Sequence, residues 1–245
     1  GLILTEADRI LHRATAEMAS SARTAESALN DTGETPHGEL HVTAPVAFGS
    51  FWLAPRLHKF AETQPRMRIK LSLSDREFDL LTLEAECAIR LWAADKADLI
   101  QRKLMTVRTS LYASREYIEK HGAPERAEDL DRHRIISYGQ EEEHMKAVNW
   151  AQRVGRDDRP ERDPTLQINN VNGMMRAVRA GFGIADLPDY MVLRESGLEK
   201  VLPNLTGPTF DLYFIYPADL KRSRRISAFR DFITSELKMD RGSDL

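Results

Sequence analysis

The chain has 245 residues, and at about 150 residues per domain this allows one large or two smaller units with a full hydrophobic core. Hydrophobic residues at 42% and charged residues at 30% exclude a disordered, collagen-like or disulfide-stapled chain. With 35 Lys and Arg against 38 Asp and Glu the formal charge is −3, so the chain has no basic field for a phosphate polymer and is expected to bind DNA poorly by itself.

The single cysteine, Cys87, cannot close a disulfide within the chain, and a thiol in an apolar run fits a reducing compartment or simple burial. No uninterrupted apolar run approaches the roughly 20 residues of a membrane span, and the N-terminus lacks a basic flank followed by an apolar core. A cytoplasmic protein without membrane contact is expected. The sequence opens at Gly1 directly ahead of a helix signal, which reads as a fragment or a processed chain.

In chain order, Thr5-Glu6-Ala7-Asp8 carries the spacing of a helix N-terminus in which hydroxyl and carboxylate satisfy orphan backbone donors. Ala7, Leu11, Ala14, Met18, Ser21, Ala25 and Ala28 then recur at steps of four and three, a heptad seam of about 25 residues or roughly 37 Å. Such a helix packs on its own domain or on a partner helix. The polar stretch Asn30 to Gly38 reads as a linker, which favours the partner and makes Leu11, Ala14, Met18 and Ala25 candidate oligomerisation residues.

Glu39 to Ala44 alternates as a strand, and Phe48 to Gln64 has helical spacing that Pro55 should bend about two turns in. Met67 to Ser74 reads as a strand, Phe78 to Glu84 as a short helix and Cys87 to Trp92 as a buried strand. This βαβαβ order implies a parallel sheet with ligand sites outside the carboxyl ends of its strands. A second α/β unit follows: strands at Ile135 to Tyr138, Leu166 to Asn169 and Gly183 to Leu187, with a helix at Val171 to Ala180. Arg153 to Pro164, rich in charge and proline, suits a solvated excursion. Phe210 to Tyr216 reads as a late strand closed by Pro217, and Ile226, Phe229, Ile233 and Leu237 line one face of a final helix. The basic cluster Lys221, Arg222, Arg224 and Arg225 reads as the solvated entry to that helix.

Four stretches in this order carry a family resemblance: Gly1 to Asp8 (GLILTEAD), Gly38 to Gly49 (GELHVTAPVAFG), Cys87 to Leu104, and Arg179 to Pro188 (RAGFGIADLP). The chain resembles a bacterial LysR-type transcriptional regulator without its N-terminal winged helix-turn-helix domain. The resemblance implies an α/β fold of the type 2 periplasmic-binding-protein kind, two Rossmann-like subdomains joined by crossover strands and preceded by a long linker helix. It implies a linker or dimerisation helix at 1–33, a first effector-binding subdomain at 39–112 and 216–245, and a second at 113–215. A small effector would sit in the cleft between them, the linker helix would pair subunits into a dimer or tetramer, and DNA would be contacted through the missing domain. No cofactor is implied.

The turn Pro45-Val46-Ala47-Phe48-Gly49-Ser50 leads from a strand into a helix, whose free N–H groups and dipole favour an anionic group. It also reads as a plain strand-helix joint. Family members that bind carboxylates often carry a hydroxyl at the position of Ala47, so here backbone groups or Ser50 must serve. Arg76 and Trp92 follow the second and third strands. Arg76 could grip a carboxylate or pair with Asp75 or Asp79, and Trp92 could stack on a ligand or plug the core. Arg90 resembles an ion-pairing arginine of the family. From the second subdomain come Tyr138, Asn170 and Asn172, with Asn170 also fitting a helix cap. Asp186, in an apolar strand, is expected to have a structural partner.

Catalytic motifs are weak. His37-Gly38-Glu39-Leu40-His41 has the wrong spacing for a zinc helix, and Walker A, G-x-S-x-G and C-x-x-C patterns are absent. The expected function is effector sensing and oligomerisation in a transcriptional regulator, with a small polar, carboxylate or amino-acid-like ligand. A solute-binding transport protein of the same fold is the alternative, and an enzyme on the same scaffold is a third class.

Overall fold

The computed structural model describes residues 35–75, 85–139, 143–156, 158–192 and 197–243. It also describes Thr5, Ala7, Asp8, Leu11, Ala14, Thr15, Met18, Ser21, Ala22 and Ala25. Arg76, Ala28 and the expected helix at Phe78 to Glu84 lie outside these residues.

The helix start is built as its sequence dictates. Thr5 donates from its hydroxyl to Asp8 Oδ2 at 2.7 Å, and the Asp8 N–H donates back to Thr5 Oγ1 at 3.2 Å. The described residues from Ala7 to Ala25 are helical and exposed, with Leu11 64% and Met18 73% accessible.

The chain divides into two compact units, Gly1–Met105 with Asp211–Leu245, and Thr106–Phe210. These divisions fall a few residues before 112/113 and 215/216. In unit 1, β1 (Gly38–Ala44) pairs in parallel with β2 (Met67–Leu73) and β3 (Cys87–Arg90), and β3 pairs antiparallel with β9 (Thr209–Pro217). Leu40, Val42 and Ala44 are fully buried, and the spacing of two puts them on one face. Helix α1 (Leu57–Thr63) and helix α5 (Arg224–Ser243) cover the sheet, with the Phe60 ring edge-on to Phe229 at 5.4 Å. Ile226, Phe229, Ile233 and Leu237 are all buried, as their 3.6-residue spacing requires.

The expected helix at Phe48 to Gln64 is real but irregular: Phe48–Leu53 is π-helical, Ala54–Arg56 is a 3₁₀ turn and only Leu57–Thr63 is α-helical. Pro55 lies in the 3₁₀ turn, where its missing N–H breaks the ladder. The basic entry to α5 is not wholly solvated. Arg225 is 3% exposed, donates to the Glu39 carbonyl and pairs with Glu86 at 2.7 Å. A buried guanidinium needs such a partner.

In unit 2, β5 (Ile135–Tyr138) pairs in parallel with β6 (Leu166–Ile168) and β7 (Ile184–Pro188). The end of β4 (Leu99–Ser114) runs antiparallel to β7 and to β8 (Leu198–Lys200). Helices α2 (Arg115–His121), α3 (Val171–Arg179) and α4 (Asp189–Val192) and the 3₁₀ segments Ala127–Arg132 and Glu143–Gln152 pack around this sheet. Leu111, Leu130, Ile135, Ile184 and Leu202 form its core, with Trp150 packed against them. Gly183 is fixed by close approach, because a Cβ there would collide with the Arg134 carbonyl. The excursion after Arg153 is anchored rather than free. Arg162 is 5% exposed and donates to the carbonyls of Ala127, Ala151 and Val154 and to Asp131.

Candidate functional site

Both units bring chemistry-bearing residues to the carboxyl ends of parallel strands, where the strand carbonyls stop and helices begin. In unit 1 β1 ends at Ala44 and the helical run starts at Val46, with the Gly49 N–H donating to the Pro45 carbonyl at 2.8 Å. Phe48 stacks on Trp52 at 4.8 Å, and the Arg56 guanidinium lies 4.5 Å over the Trp52 ring. From α5, Asp240 accepts from Trp52 Nε1 at 2.6 Å and from Arg56 at 2.8 Å, so the C-terminal helix braces the turn. Pro45, Ala47 and Phe48 are buried, which leaves Val46 and Ser50 as the partly exposed side chains of the turn.

Asp75, just past the end of β2, accepts the Val46 N–H at 2.9 Å on Oδ1. Sequence reasoning treated Asp75 only as a neighbour of Arg76. One orphan donor of the helix N-terminus is thus met by a carboxylate of the chain itself. A second anion at that point would meet like charge. The only sequence signal was an Asp following a strand, which is common in any turn.

Trp92 is partly buried in the bend two residues beyond β3. Arg90 donates to Thr43 Oγ1 at 3.1 Å and to the Ile89 carbonyl at 2.9 Å. Cys87 is fully buried, and burial pushes its thiol well up from its ordinary range, so it is a poor nucleophile.

In unit 2 Tyr138 closes β5 and is 1% exposed, with its N–H and carbonyl both bonded to the Asn149 side chain at 2.7 and 2.9 Å. Asn170 caps α3, its Oδ1 accepting from the Gly173 N–H at 3.1 Å. Asn172, in the first turn, has a buried Oδ1 without a hydrogen-bond partner. Buried amide oxygens are normally satisfied, so this atom is an exception within the helix. Asp186 is 3% exposed; its carboxyl oxygens make no hydrogen bond of ordinary geometry, and the Trp150 N–H and the Thr109 hydroxyl are the donors that act on it. No group of three or more His, Cys, Asp or Glu suited to a metal ion occurs among the described residues, His37 and His41 included.

Residues 33–238 match the LysR substrate binding domain. The chain belongs to the LysR family. It is 31% identical over 242 residues, 97% of its length and 70% of the relative's, to an HTH-type transcriptional regulator of Xanthomonas campestris pv. campestris. The structure of CrgA, a LysR-type transcriptional regulator from Neisseria meningitidis, superposes with a TM-score of 0.76 at 26% identity, covering 96% of this chain and 80% of that one. The CrgA regulatory domain gives 0.74 at 27% identity, covering 82% of this chain and all of that one. The fold is therefore the periplasmic-binding-protein-like fold of LysR regulatory domains, and the chain is an effector-binding regulatory domain of a LysR-type transcriptional regulator. The family is non-enzymatic, which sets aside the reading as an enzyme. No helix among the described residues is long and apolar enough to cross a membrane.

Proposed function

We propose that this LysR regulatory domain senses a small polar, amino-acid-like metabolite in the cytoplasm, with the Val46–Ser50 turn of the first unit, and Tyr138, Asn170 and Asn172 of the second, as the candidate contact residues of each. The observation that carries the reading is Asn172 Oδ1, buried and without a partner, which calls for a ligand N–H. Asp75 already meets the Val46 N–H, which weighs against a plain carboxylate seated on that donor. Ser50 supplies a hydroxyl on the same turn, and Trp92 an aromatic wall beyond the third strand.

A thermal-shift screen of free amino acids, their deaminated acids and their amides tests this. A true effector at about 100 times its dissociation constant stabilises the fold by about 2.7 kcal/mol, on the order of 5–10 °C in a chain of this size. The expected result is a shift with an amino acid that its deaminated acid fails to give. A shift from the deaminated acid alone, or from none of the three classes, contradicts the reading.

The helix at the N-terminus supports a second element of the proposal, that copies of the chain pair through it. Leu11, Ala14, Met18 and Ala25 are helical, share the seam and are exposed. Effector binding then biases the arrangement of paired subunits, and DNA is contacted through helix-turn-helix regions of the full-length regulator.

A further inference from the structure

The carboxyl end of the unit 2 sheet holds a negative charge that no described cation balances. β7 and β6 flank β5, and the pairs Ile136↔Ala185 and Ile136↔Leu166 set Ala185 and Leu166 at one level. Four residues on from these come Asp189 and Asn170, which on this register leave the sheet together, two strand spacings or about 10 Å apart. Asp189 opens α4 directly after Pro188, the last residue of β7. It stands where a parallel sheet receives ligands, at the same edge as Tyr138 and Asn170.

The carboxylate is held in place by neutral groups. Tyr112 on β4, 8% exposed, donates its hydroxyl proton to Asp189 Oδ1 at 3.0 Å. Ser110, two residues earlier on the same face and also buried, hydrogen-bonds to the Tyr112 hydroxyl. Burial and the Asp189 charge push that hydroxyl well up from its ordinary range, so it remains a donor and fixes the carboxylate. Among the described residues this is the one hydrogen bond of Asp189, and no Lys, Arg or His pairs with it. Asp189 is partly exposed, and a carboxylate accepts at both oxygens, so Oδ2 is left for a donor from outside. Nor does a role as a helix-start acid account for it, because α4 is a single turn of four residues with a correspondingly small dipole. Asp186, three residues earlier, does not share the charge: burial first, and the Asp189 charge in addition, push its carboxyl up to about 8.

We propose that Asp189 recognises the ammonium group of an amino-acid-like effector, so that the regulator selects the amino acid over its deaminated acid. The proposal rests on the reading of unit 2 as an effector-contact surface and adds to it the charge that chooses the ligand. The contact is an N–H to carboxylate bond, which is stronger than a neutral one and repels an anion in the same place. Asn172 Oδ1, in the first turn of α3, is likewise an acceptor without a donor, so both residues call for the same ligand chemistry. A metal ion suits the place less well, since no group of three or more His, Cys, Asp or Glu gathers there among the described residues.

Calorimetric titration of the whole chain with free amino acids, each beside its deaminated acid, tests this in wild type, Asp189→Asn and Asn172→Ala. Asp189→Asn keeps the side-chain shape and the acceptor for Tyr112 and removes only the charge, so its unliganded melting point stays near that of wild type. The amino acid that binds wild type is expected to weaken about 10- to 150-fold in Asp189→Asn. Its deaminated acid is expected to bind that variant no more weakly than wild type. Asp189→Ala gives the same pattern and serves if the Asn variant folds poorly. An amino acid bound equally by wild type and Asp189→Asn overturns the proposal, and if Asn172→Ala still weakens it the wider effector reading stands without Asp189. A parallel loss for the deaminated acid marks damage to structure rather than loss of charge and also overturns it. Failure of every amino acid to bind wild type overturns both.

Discussion

Replacing Arg162 with methionine tests whether the charged excursion of unit 2 is an anchored part of its core. The guanidinium side chain is 4% exposed and reaches Asp131 at 2.6 Å, Val154 O at 2.7 Å, Ala127 O at 2.9 Å and Ala151 O at 3.0 Å. Methionine keeps much of the apolar stem and donates nothing, so three carbonyls lose a charged donor and one carboxylate loses its most buried partner. Removing one member of a buried, hydrogen-bonded charge pair costs about 3–5 kcal/mol. Asp131 retains Arg156 at 3.1 Å and Arg159 at 3.0 Å, which limits its own share. The loss therefore lies mainly in the carbonyls, and a melting point lowered on the order of 10 °C is expected. Arg159→Met removes a charge from the same carboxylate at a side chain 47% exposed, where about 0–1 kcal/mol is at stake. Urea unfolding of the two variants side by side is the assay. Equal losses, or an Arg162→Met loss under about 1 kcal/mol, would refute the idea that burial and geometry decide the outcome.

Acid should act through the same cluster. Burial raises the Asp131 carboxyl, but hydrogen bonds from Arg162 and Arg156 more than reverse this and hold it below its ordinary range. Its stabilisation is present above that range and is lost as pH falls through it, so the acid limb of stability should be shallower in Arg162→Met than in wild type. Phe229→Ala, at a fully buried ring packed on Phe60 and Phe214, should cost about 3–5 kcal/mol by denaturant unfolding. Sedimentation should give a dimer or tetramer of the 27.9 kDa chain and a monomer, of correspondingly smaller mass, only after residues 1–33 are removed; a wild-type monomer at micromolar concentration contradicts the pairing helix. Duplex DNA should bind the chain weakly, and salt-sensitive nanomolar binding would overturn the inference drawn from its charge of −3.

Elements whose burial repeats strictly were legible in the sequence. Leu40, Val42 and Ala44 of β1 follow a period of 2 and the buried face of α5 a period of 3.6, Ile135–Tyr138 is a continuous buried run, and Asn170 caps α3 as an Asn before a helix should. The long β4 was not legible, because its first half carries Gln101, Arg102 and Lys103 on exposed positions and the apolar run begins only near Val107. The π turn at Phe48–Leu53 escaped for another reason: its spacing resembles an α-helix until Pro55 interrupts it. Asp75 on Val46, Arg225 on Glu86 and the buried carboxyl of Asp186 depend on residues far apart in the chain, which no local pattern encodes. Arg225 beside three other basic residues looks like a solvated cluster in sequence, and only the packing of α5 against β1 tells it apart.

Calorimetric titration of the strongest amino-acid hit into the wild-type chain and into Asn172→Ala tests the central claim most directly. Asn172 offers a buried, unpartnered oxygen, and deleting a hydrogen bond to a charged group costs about 1.5–3 kcal/mol, or roughly 10- to 150-fold in affinity. The account predicts one site per wild-type chain and a dissociation constant weakened by that factor in Asn172→Ala, with the unliganded melting point nearly unchanged. Equal affinity for the two chains would contradict it.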